Sequence, residues 1–402
     1  MGRYTVLDDP LVDQTIKRHL QRAVEAILNG MVPRAIILRG SFGRGEGSVL
    51  VQQGKLRFLS DYEIDVATVS PLHRSLFAQL SGTSTAESGV ETSLRWVRPD
   101  YLSRQRVGLL PMGPAPPTIS LYESRYGSRT LYGEDIVGAG PVIDPRQIVP
   151  VSAIILVLNR MAESLYYLPP AQKAGADHLE TYYWVNKMIL ACAEALLLLW
   201  AQFHYSYAER GRRFAAAPEC GLAFLGPQGD TLRHLVAQAT EFKLRPRCSL
   251  HERPIRETWM QLIPICGAVL RHLTEQMLGF RFECYAEYPE QFLRYAAEAT
   301  GSLSRLQVAA LKLLDVYKHV RRHRLPRSLL MPFRASSLVF AVVPLVFVGW
   351  ACSGEAQAAL VTQARHQLGR IDRLKSPKSE PQDEWEALRH HTLWAWKNFC
   401  YL

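Results

Sequence analysis

The sequence lacks the patterns by which cysteine usually reveals a role. Its seven cysteines stand singly, with no C-x-x-C pair and no histidine spacing typical of a zinc site. The amino terminus has no apolar signal-peptide segment, and Val6 stands where a myristoylation signal has serine or threonine. These absences favour reduced thiols and a cytoplasmic protein.

The sequence also gives its most apolar stretch too little length to cross a bilayer. Its most apolar stretch, residues 338–352, is shorter than the ~20 residues that a spanning helix needs and contains Pro344 and Gly349. This stretch predicts a buried core helix, with a membrane-embedded hairpin or an interfacial contact as the alternative. We expect no stable membrane insertion.

Length and charge indicate two domains and an anionic partner. With 402 residues, the chain exceeds the size at which one hydrophobic core stops growing. The net charge of +10 is concentrated after residue 150, where 30 Lys and Arg face 22 Asp and Glu. A basic surface suits a triphosphate, a phosphorylated acceptor or nucleic acid, and a merely solvated basic surface is the alternative.

The order of periodic segments predicts an α+β fold in which an N-terminal domain, residues 1–148, contains a mixed sheet and helices. Predicted helices cover 11–29 and 72–80. Predicted strands cover 35–38, 62–67, 93–97 and 118–121, with a hairpin over 49–58 that turns at Gln53-Gly54 and a proline-rich loop over 111–117.

Residues 149–402 predict an all-helical domain that binds the acceptor. Apolar periodicity indicates helices at 151–168, 178–208, 230–243, 257–279, 289–320 and 336–351. Residues 375–381 predict a linker before a last helix that contains Trp394 and Trp396.

A glycine-rich segment follows the first predicted strand. It matches neither the P-loop, nor the dinucleotide-binding glycine motif, nor the nucleophile elbow. What remains is Gly40-Ser41 directly after a strand. Glycine lets a phosphate approach the backbone closely, the hydroxyl of Ser41 can donate to phosphate oxygens, and Arg44 adds charge.

Three acidic residues alternate along the second predicted strand. Asp61, Glu63 and Asp65 should therefore share one face. Carboxylates that face one way repel each other unless a cation joins them, which favours Mg²⁺. A solvated strand face is the alternative.

Together, the segments 38–46 and 60–65 resemble the DNA polymerase beta-like nucleotidyltransferase superfamily, in the small-molecule branch that includes aminoglycoside nucleotidyltransferases. The resemblance covers roughly residues 35–135, and segment 121–135 looks like the strand pair that closes the catalytic domain in that branch. It implies a two-metal site for Mg²⁺ or Mn²⁺, and transfer of a nucleoside monophosphate from a triphosphate, with ATP as the expected donor and pyrophosphate released.

The resemblance assigns roles to individual residues. Asp61, Glu63 and a third acid would be catalytic and hold metal. The best position for the third acid is Glu123, with Glu91 and Asp100 as rivals. The nucleotide-binding residues would be Gly40, Ser41, Gly43, Arg44 and, from the helical domain, Lys187.

Two departures weaken the match. The spacing between Gly40-Ser41 and Asp61 is longer than is usual in the family, which we attribute to the predicted hairpin over 49–58. The second acid is Glu63 where aspartate is commoner, although glutamate is also a hard oxygen ligand.

The helical domain offers further candidates. Lys187 lies on a segment that resembles the helix that aims a lysine at the triphosphate, and Asn159-Arg160 could face the same cleft. A solvated lysine and a paired interior arginine are the alternatives. Acceptor binding by stacking and charge is predicted for Tyr205, Tyr207, Arg210 and the basic tracts 243–256 and 312–327, which could equally be solvated.

Three functions remain open at this level. The leading one is nucleotidyl transfer to a small hydroxylated molecule such as an aminoglycoside or a sugar. The runner-up is the same chemistry on a protein side chain or an RNA end. The third is a catalytically silent nucleotide-binding protein, because a fold does not guarantee activity.

Overall fold

The computed structural model describes residues 2–69, 74–107, 110–114, 117–168, 178–247, 255–301, 335–370 and 384–400. Within these ranges the protein is α+β, with a small mixed sheet toward the amino terminus followed by helices. The predicted fold class is confirmed at this level.

The chain divides into two compact units whose boundary is not a single point. The sequence places one division at residue 148, whereas the structure returns two later segments to the first unit. That unit comprises Met1–Ser152, Trp200–Pro218 and Arg233–Glu252, and the second comprises Ala153–Leu199, Glu219–Leu232 and Arg253–Leu402.

Eight strands occur in the described residues, all of them in the first unit. They are β1 (Ala35–Arg39), β2 (Val49–Gln52), β3 (Lys55–Phe58), β4 (Tyr62–Ala67), β5 (Thr92–Val97), β6 (Arg104–Val107), β7 (Leu110–Pro114) and β8 (Arg129–Gly133). Four of them form a sheet in the order β5-β4-β1-β8, while β2-β3 and β6-β7 are separate hairpins. The predicted hairpin with its turn at Gln53-Gly54 is confirmed.

Thirteen α-helices are described. They are α1 (Pro10–Gly30), α2 (Gly40–Arg44), α3 (Arg74–Ser88), α4 (Ile119–Tyr126), α5 (Val151–Ser164), α6 (His178–Leu199), α7 (Tyr207–Ala215), α8 (Gln228–Leu244), α9 (Ile255–Leu273), α10 (Tyr288–Gly301), α11 (Ala335–Gly349), α12 (Gly354–Leu368) and α13 (Glu384–Phe399).

The first helix shows why this sequence folds locally as it does. Asp9 accepts hydrogen bonds from the backbone N–H of Leu11 and Val12, and Pro10 occupies the first turn, where its missing N–H is not needed. One face then carries apolar residues at helical spacing, all of them buried against the sheet: Val12, Ile16, Leu20, Ala23 and Ile27.

The sheet is mixed because β1 runs antiparallel to β4, whereas β4 and β5 are parallel. Parallel neighbours need a crossover connection, and α3 supplies it. Alternation sends Ile36, Leu38 and Ile64 into the core beneath α1 and α3. The intervening residues of these strands therefore face the opposite side.

Segments from far along the chain complete the first unit. Glu46 is 3 % exposed, and its carboxylate accepts hydrogen bonds from the Ser206 hydroxyl at 2.7 Å and from the backbone N–H groups of Tyr207 at 2.8 Å and Ala208 at 3.1 Å. These donors lie at the start of α7, where a negative charge is favourable. A side chain beside the glycine segment thus holds a helix more than 150 positions later in the sequence.

The second unit is helical, and its centre is the apolar helix α11. This helix packs against α9, α10, α12 and α13. The predicted buried core helix is therefore confirmed. Of the described helices, one is long and apolar enough to span a bilayer, Leu179–Leu199 in α6, and 72 % of that window is buried within the protein, as in a core helix.

Several element predictions are wrong in detail. The predicted strand over 118–121 is the start of α4, because Thr118 accepts a hydrogen bond from the backbone N–H of Leu121 and caps a helix there. Segment 121–135 therefore contains one helix and one strand rather than a strand pair. Part of the predicted loop over 111–117 is strand β7, paired with β6.

The predicted helix over 178–208 is interrupted after Leu199 and resumes as α7, whose start Ser206 caps. Helix α12 was not predicted, since its alanine- and glutamine-rich sequence has only a weak apolar stripe. The predicted linker over 375–381 and the part of the predicted helix beyond Gly301 lie outside the described residues.

We expect Glu46→Gln to destabilise the first unit by on the order of 3 kcal/mol, because it removes a buried charge that several donors and Arg44 share. Urea denaturation checks this. The matched control is Glu209→Gln. Glu209 lies in the first turn of α7 and is more exposed than Glu46, so this change should lower the free energy of unfolding by less than about 1 kcal/mol. Equal losses in the two variants would contradict the assignment.

Candidate functional site

The glycine-serine segment, Gly40-Ser41, and the acidic strand, β4 with Asp61 directly before it, meet at the edge of the sheet where β4 begins. Arg39, the last residue of β1, lies opposite Glu63 on β4, and α2 begins at the next residue, Gly40. Gly40 has φ +65°, and a Cβ there would lie 2.5 Å from a carboxylate oxygen of Glu63. The left-handed φ favours glycine here, and the absence of a Cβ leaves room for the Glu63 carboxylate, so the two sequence motifs are in direct contact.

Gly43 is constrained by packing. A Cβ at this position would approach the carbonyl oxygens of Leu38 and Gly127 to 2.6 and 2.7 Å. Arg129 donates from Nε to the carbonyl of Gly43 at 2.8 Å. These contacts fix the short helix α2 against β1, and the predicted role of Gly43 in nucleotide binding stays a prediction. Ser41, in the same helix, is 8 % exposed.

Asp65 is neutralised by two arginines from the neighbouring strands. Arg95 on β5 donates from Nε and Nη2 to its two oxygens at 2.8 and 2.7 Å, and Nε of Arg39 lies 3.0 Å away. Burial lowers the pKa of Arg95, but the charge and hydrogen bonds of Asp65 outweigh it and raise the pKa overall. Asp65 is fully buried and joins three strands.

Tyr101 lies near this ion cluster. Its burial, with the negative charge of Asp65 as a second cause, raises its pKa to about 12. The phenol therefore remains neutral at physiological pH. It adds no charge to this side of the sheet.

The charge balance leaves carboxylates at the edge where β4 and β5 begin. Arg39 also donates from Nη2 to Glu63 at 2.9 Å, so two arginines offset Glu63 and Asp65. Asp61, directly before β4, makes no hydrogen bond or ion pair with the described part of the chain. An added cation would find an unneutralised carboxylate there.

The predicted third acid, Glu123, does not lie on a strand. It belongs to α4, and its carboxylate forms ion pairs with Arg44 at 3.5 Å and with Arg210 of α7. Both guanidinium groups are nearly inaccessible to solvent. Glu123 thus compensates two buried positive charges, and the predicted strand position is corrected.

Glu91, a rival for the third acid, lies at the same edge as Asp61. It precedes Thr92 as Asp61 precedes Tyr62, and these two strand residues are paired in parallel register. The N–H of Tyr62 donates to the carbonyl of Glu91 at 2.8 Å. Alternation places the side chain of Glu91 on the face that carries Arg95.

Asp100, the other rival, lies at the opposite edge of the sheet. It lines a cavity of 580 Å³ beyond the ends of β4 and β5, together with Arg34, Arg98 and Glu134. The geometry therefore favours Glu91 over Asp100 as a neighbour of Asp61. No group of three or more metal-binding side chains was found among the described residues.

The side chain of Arg44 contacts other side chains in the interior of the first unit. Its side chain is 5 % exposed, lies 3.7 Å from Glu46 and 3.5 Å from Glu123, and stacks 4.8 Å above the ring of Tyr207. Arg210 stacks on the same ring at 4.6 Å. The predicted nucleotide contact of Arg44 stays a prediction, but a structural role is evident.

The remaining candidates have internal contacts. In the second unit, Nζ of Lys187 lies 4.1 Å from the ring centroid of Trp184, and Asn159 accepts a hydrogen bond from Trp396. Arg160, in the same unit, forms an ion pair with Glu163.

In the first unit, Tyr205 stacks on Tyr126 with ring centroids 6.2 Å apart. The basic tract 312–327 and residues 248–254 of the other tract lie outside the described residues. The predicted roles of all these candidates in nucleotide or acceptor binding stay predictions.

Sequence reasoning missed the link between Lys243 and the acidic strand. Nζ of Lys243 donates to the hydroxyl of Ser60, the residue before Asp61, at 3.0 Å. The two residues are 183 positions apart, and no sequence pattern connects them. A lysine in a basic tract is normally solvated, yet this one is 4 % exposed.

Comparison with protein-family models, with curated proteins and with solved structures found no match. The resemblance to nucleotidyltransferases therefore depends on the residues and geometry described above.

We expect Asp65→Asn to destabilise the protein by about 3–5 kcal/mol, because it leaves Arg39 and Arg95 without their shared buried carboxylate. Thermal or urea unfolding measures this loss. Glu63→Gln is the matched control: it lies on the same strand face with a side chain that is 35 % exposed, and it should cost less than about 1 kcal/mol. A larger loss for Glu63→Gln would reverse the assignment.

Proposed function

We propose that this protein is a metal-dependent nucleotidyltransferase that moves a nucleoside monophosphate, with ATP as the expected donor, to the hydroxyl group of a small molecule. One observation carries the proposal. Gly40-Ser41 lies at the end of a strand directly against Glu63 of the acidic strand, so a phosphate-approaching glycine and a carboxylate pair share one edge of the sheet. The polymerase beta-like resemblance requires this adjacency.

The residues at this edge fit a magnesium ion held partly by its substrate. Mg²⁺ is typically bound by one or two protein carboxylates, with phosphate oxygens and water completing its shell. Asp61 and Glu63 would be these ligands, with Glu91 next to Asp61 in the register. When bound, the ion supplies Lewis-acid activation and neutralises phosphate charge.

The chain's own groups would orient the donor. Glycine at position 40 adds no side chain of its own beside a bound phosphate, and the hydroxyl of Ser41 can donate to a phosphate oxygen. Glu63 shares Arg39 with Asp65, and this arginine would restrain Glu63 while the donor binds. Asp61 would then be the group most available to a cation.

A silent nucleotide-binding protein is the second candidate, and a specific observation favours it. Glu63 is already paired with Arg39, and Glu123 with Arg44 and Arg210. Two of the three acids expected to bind metal therefore form ion pairs with arginine instead. Such a protein would bind a nucleotide without transferring it. Separate measurements of binding and turnover distinguish the two functions.

The acceptor class has its own test. A protein or RNA acceptor is the runner-up to a small molecule. Binding of an RNA acceptor through phosphates releases counterions and weakens steeply with salt, whereas binding of a small neutral acceptor does not.

The deciding experiment incubates the full chain with each of ATP, GTP, CTP and UTP, labelled on the α-phosphate, and with Mg²⁺ or Mn²⁺. Acceptors are a panel of aminoglycosides and sugars, an RNA pool and a cell extract. Mass spectrometry then identifies any product that carries a nucleoside monophosphate. Nucleotide binding with no labelled product from any acceptor would favour the silent protein, and the absence of binding would reject both.

We expect Asp61→Asn and Glu63→Gln each to reduce transfer by about 10²-fold or more while the protein stays folded, since each removes a metal ligand with little change in volume. Turnover under matched Mg²⁺, with circular dichroism as the folding check, tests this. Glu87→Gln, which neutralises an exposed carboxylate on α3, is the control and should keep full activity. Wild-type turnover in either acidic variant would reject the metal site.

A further pair of variants locates the third acid. Glu91→Gln should lose turnover by about 10²-fold while it retains nucleotide affinity and stability, because its position is at the edge beside Asp61. Glu123→Gln should instead lower the unfolding temperature, because it leaves Arg44 and Arg210 without their carboxylate. If Glu123→Gln alone lost turnover at unchanged stability, the original assignment of Glu123 would stand.

A further inference from the structure

A buried lysine lies next to the acidic strand. Lys243, near the end of α8, is 4 % exposed, although lysine is rarely buried unless its ammonium group is compensated. Its Nζ donates to the hydroxyl of Ser60 at 3.0 Å and lies 5.4 Å from the ring centroid of Tyr207. The ammonium group is thus held one residue away from Asp61.

Three buried residues form a closed ring of hydrogen bonds around this contact. Ser60 accepts from Nζ of Lys243 and, at 3.1 Å, from the backbone N–H of Ser48. The hydroxyl of Ser48 in turn donates to the backbone carbonyl of Lys243 at 2.6 Å. All three residues are less than 5 % exposed. The ring therefore joins the end of α8 to the start of the acidic strand in a water-poor environment.

The hydrogen-bonded ring lies at the short connection that carries Asp61. Leu59 donates from its backbone N–H to the carbonyl of Ser48 at 3.0 Å, and Tyr62 is held by Glu91 across the sheet. Between these two backbone anchors lie only Ser60 and Asp61. Within the described part of the chain, the side chain of Ser60 is a further anchor of this short connection, and Lys243 supplies a charge-assisted hydrogen bond to it.

We propose that Lys243 is a positioning residue which, through Ser60, fixes the backbone from which the metal-binding side chain of Asp61 projects. The inference rests on the proposed function for the role of Asp61. The mechanical part, a fixed connection over residues 59–62, is independent of that function. A ligand held by a rigid support loses less conformational entropy when it binds a cation.

The test is a double-mutant cycle in the full chain with Lys243→Met, Ser60→Ala and the two combined. Arg245→Met, an exposed change directly after the end of α8, is the control. Two quantities are measured: hydrogen exchange of the peptide that spans residues 58–64, and the affinity for Mn²⁺ without nucleotide, by titration.

Each single variant should speed exchange in this peptide by about tenfold or more, as expected for the loss of a charge-assisted hydrogen bond, and should weaken Mn²⁺ binding. If Lys243 acts through Ser60, Lys243→Met should add little in the Ser60→Ala background. Arg245→Met should change neither quantity.

The outcomes separate this inference from the proposed function. Unchanged exchange in both single variants, or an undiminished effect of Lys243→Met in the Ser60→Ala background, overturns the positioning role. If Lys243→Met fails to fold, exchange in Ser60→Ala decides alone. If the wild-type protein binds no Mn²⁺ while exchange responds as expected, the support by Lys243 stands and the metal site at Asp61 is rejected.

Discussion

The antiparallel pairing of β1 with β4 is the constraint on which the rest of the candidate site depends. Its register sets Arg39 opposite Glu63 and Ile37 opposite Asp65. A shift of one residue would move every side chain of β4 to the other face and send the carboxylates into the apolar core. The register is secured by Ile36, Leu38 and Ile64, which pack beneath the helices on the opposite side.

This register creates a charged layer that is balanced by neighbouring strands. Asp65 is fully buried, a position that would be costly without the two guanidinium groups from β1 and β5. The neutralised carboxylate lies deeper along the strand, and the more accessible ones lie toward the edge. Along β4, the deep carboxylate of Asp65 therefore belongs to a structural ion cluster, whereas the carboxylates near the edge are placed to bind a cation.

A second charged network assembles the first unit from segments that are far apart in the sequence. Glu46 holds the start of α7, Glu123 compensates Arg44 and Arg210, and Lys243 reaches Ser60. Buried ion pairs contribute little net stability compared with apolar packing, but removing one partner is expensive. We infer that these contacts specify which later segments join the sheet, since charged partners tolerate few alternative arrangements.

The local elements and part of the site follow from the sequence alone. Period-two and helical patterns predicted α1, the β2-β3 hairpin and β4 correctly, because each buries one face of a regular element. The proximity of Gly40-Ser41 to the acidic pair was implied by the family resemblance of these two segments. The alternation of Glu63 and Asp65 onto one face required no tertiary information.

The tertiary structure alone decided the rest. Glu123 pairs with Arg44 and Arg210, and Lys243 donates to Ser60, across more than 75 positions of sequence, and no periodicity encodes such distances. The sequence pattern specifies the face of an element on which a charged residue lies. The packing of distant segments decides which oppositely charged residue becomes its partner.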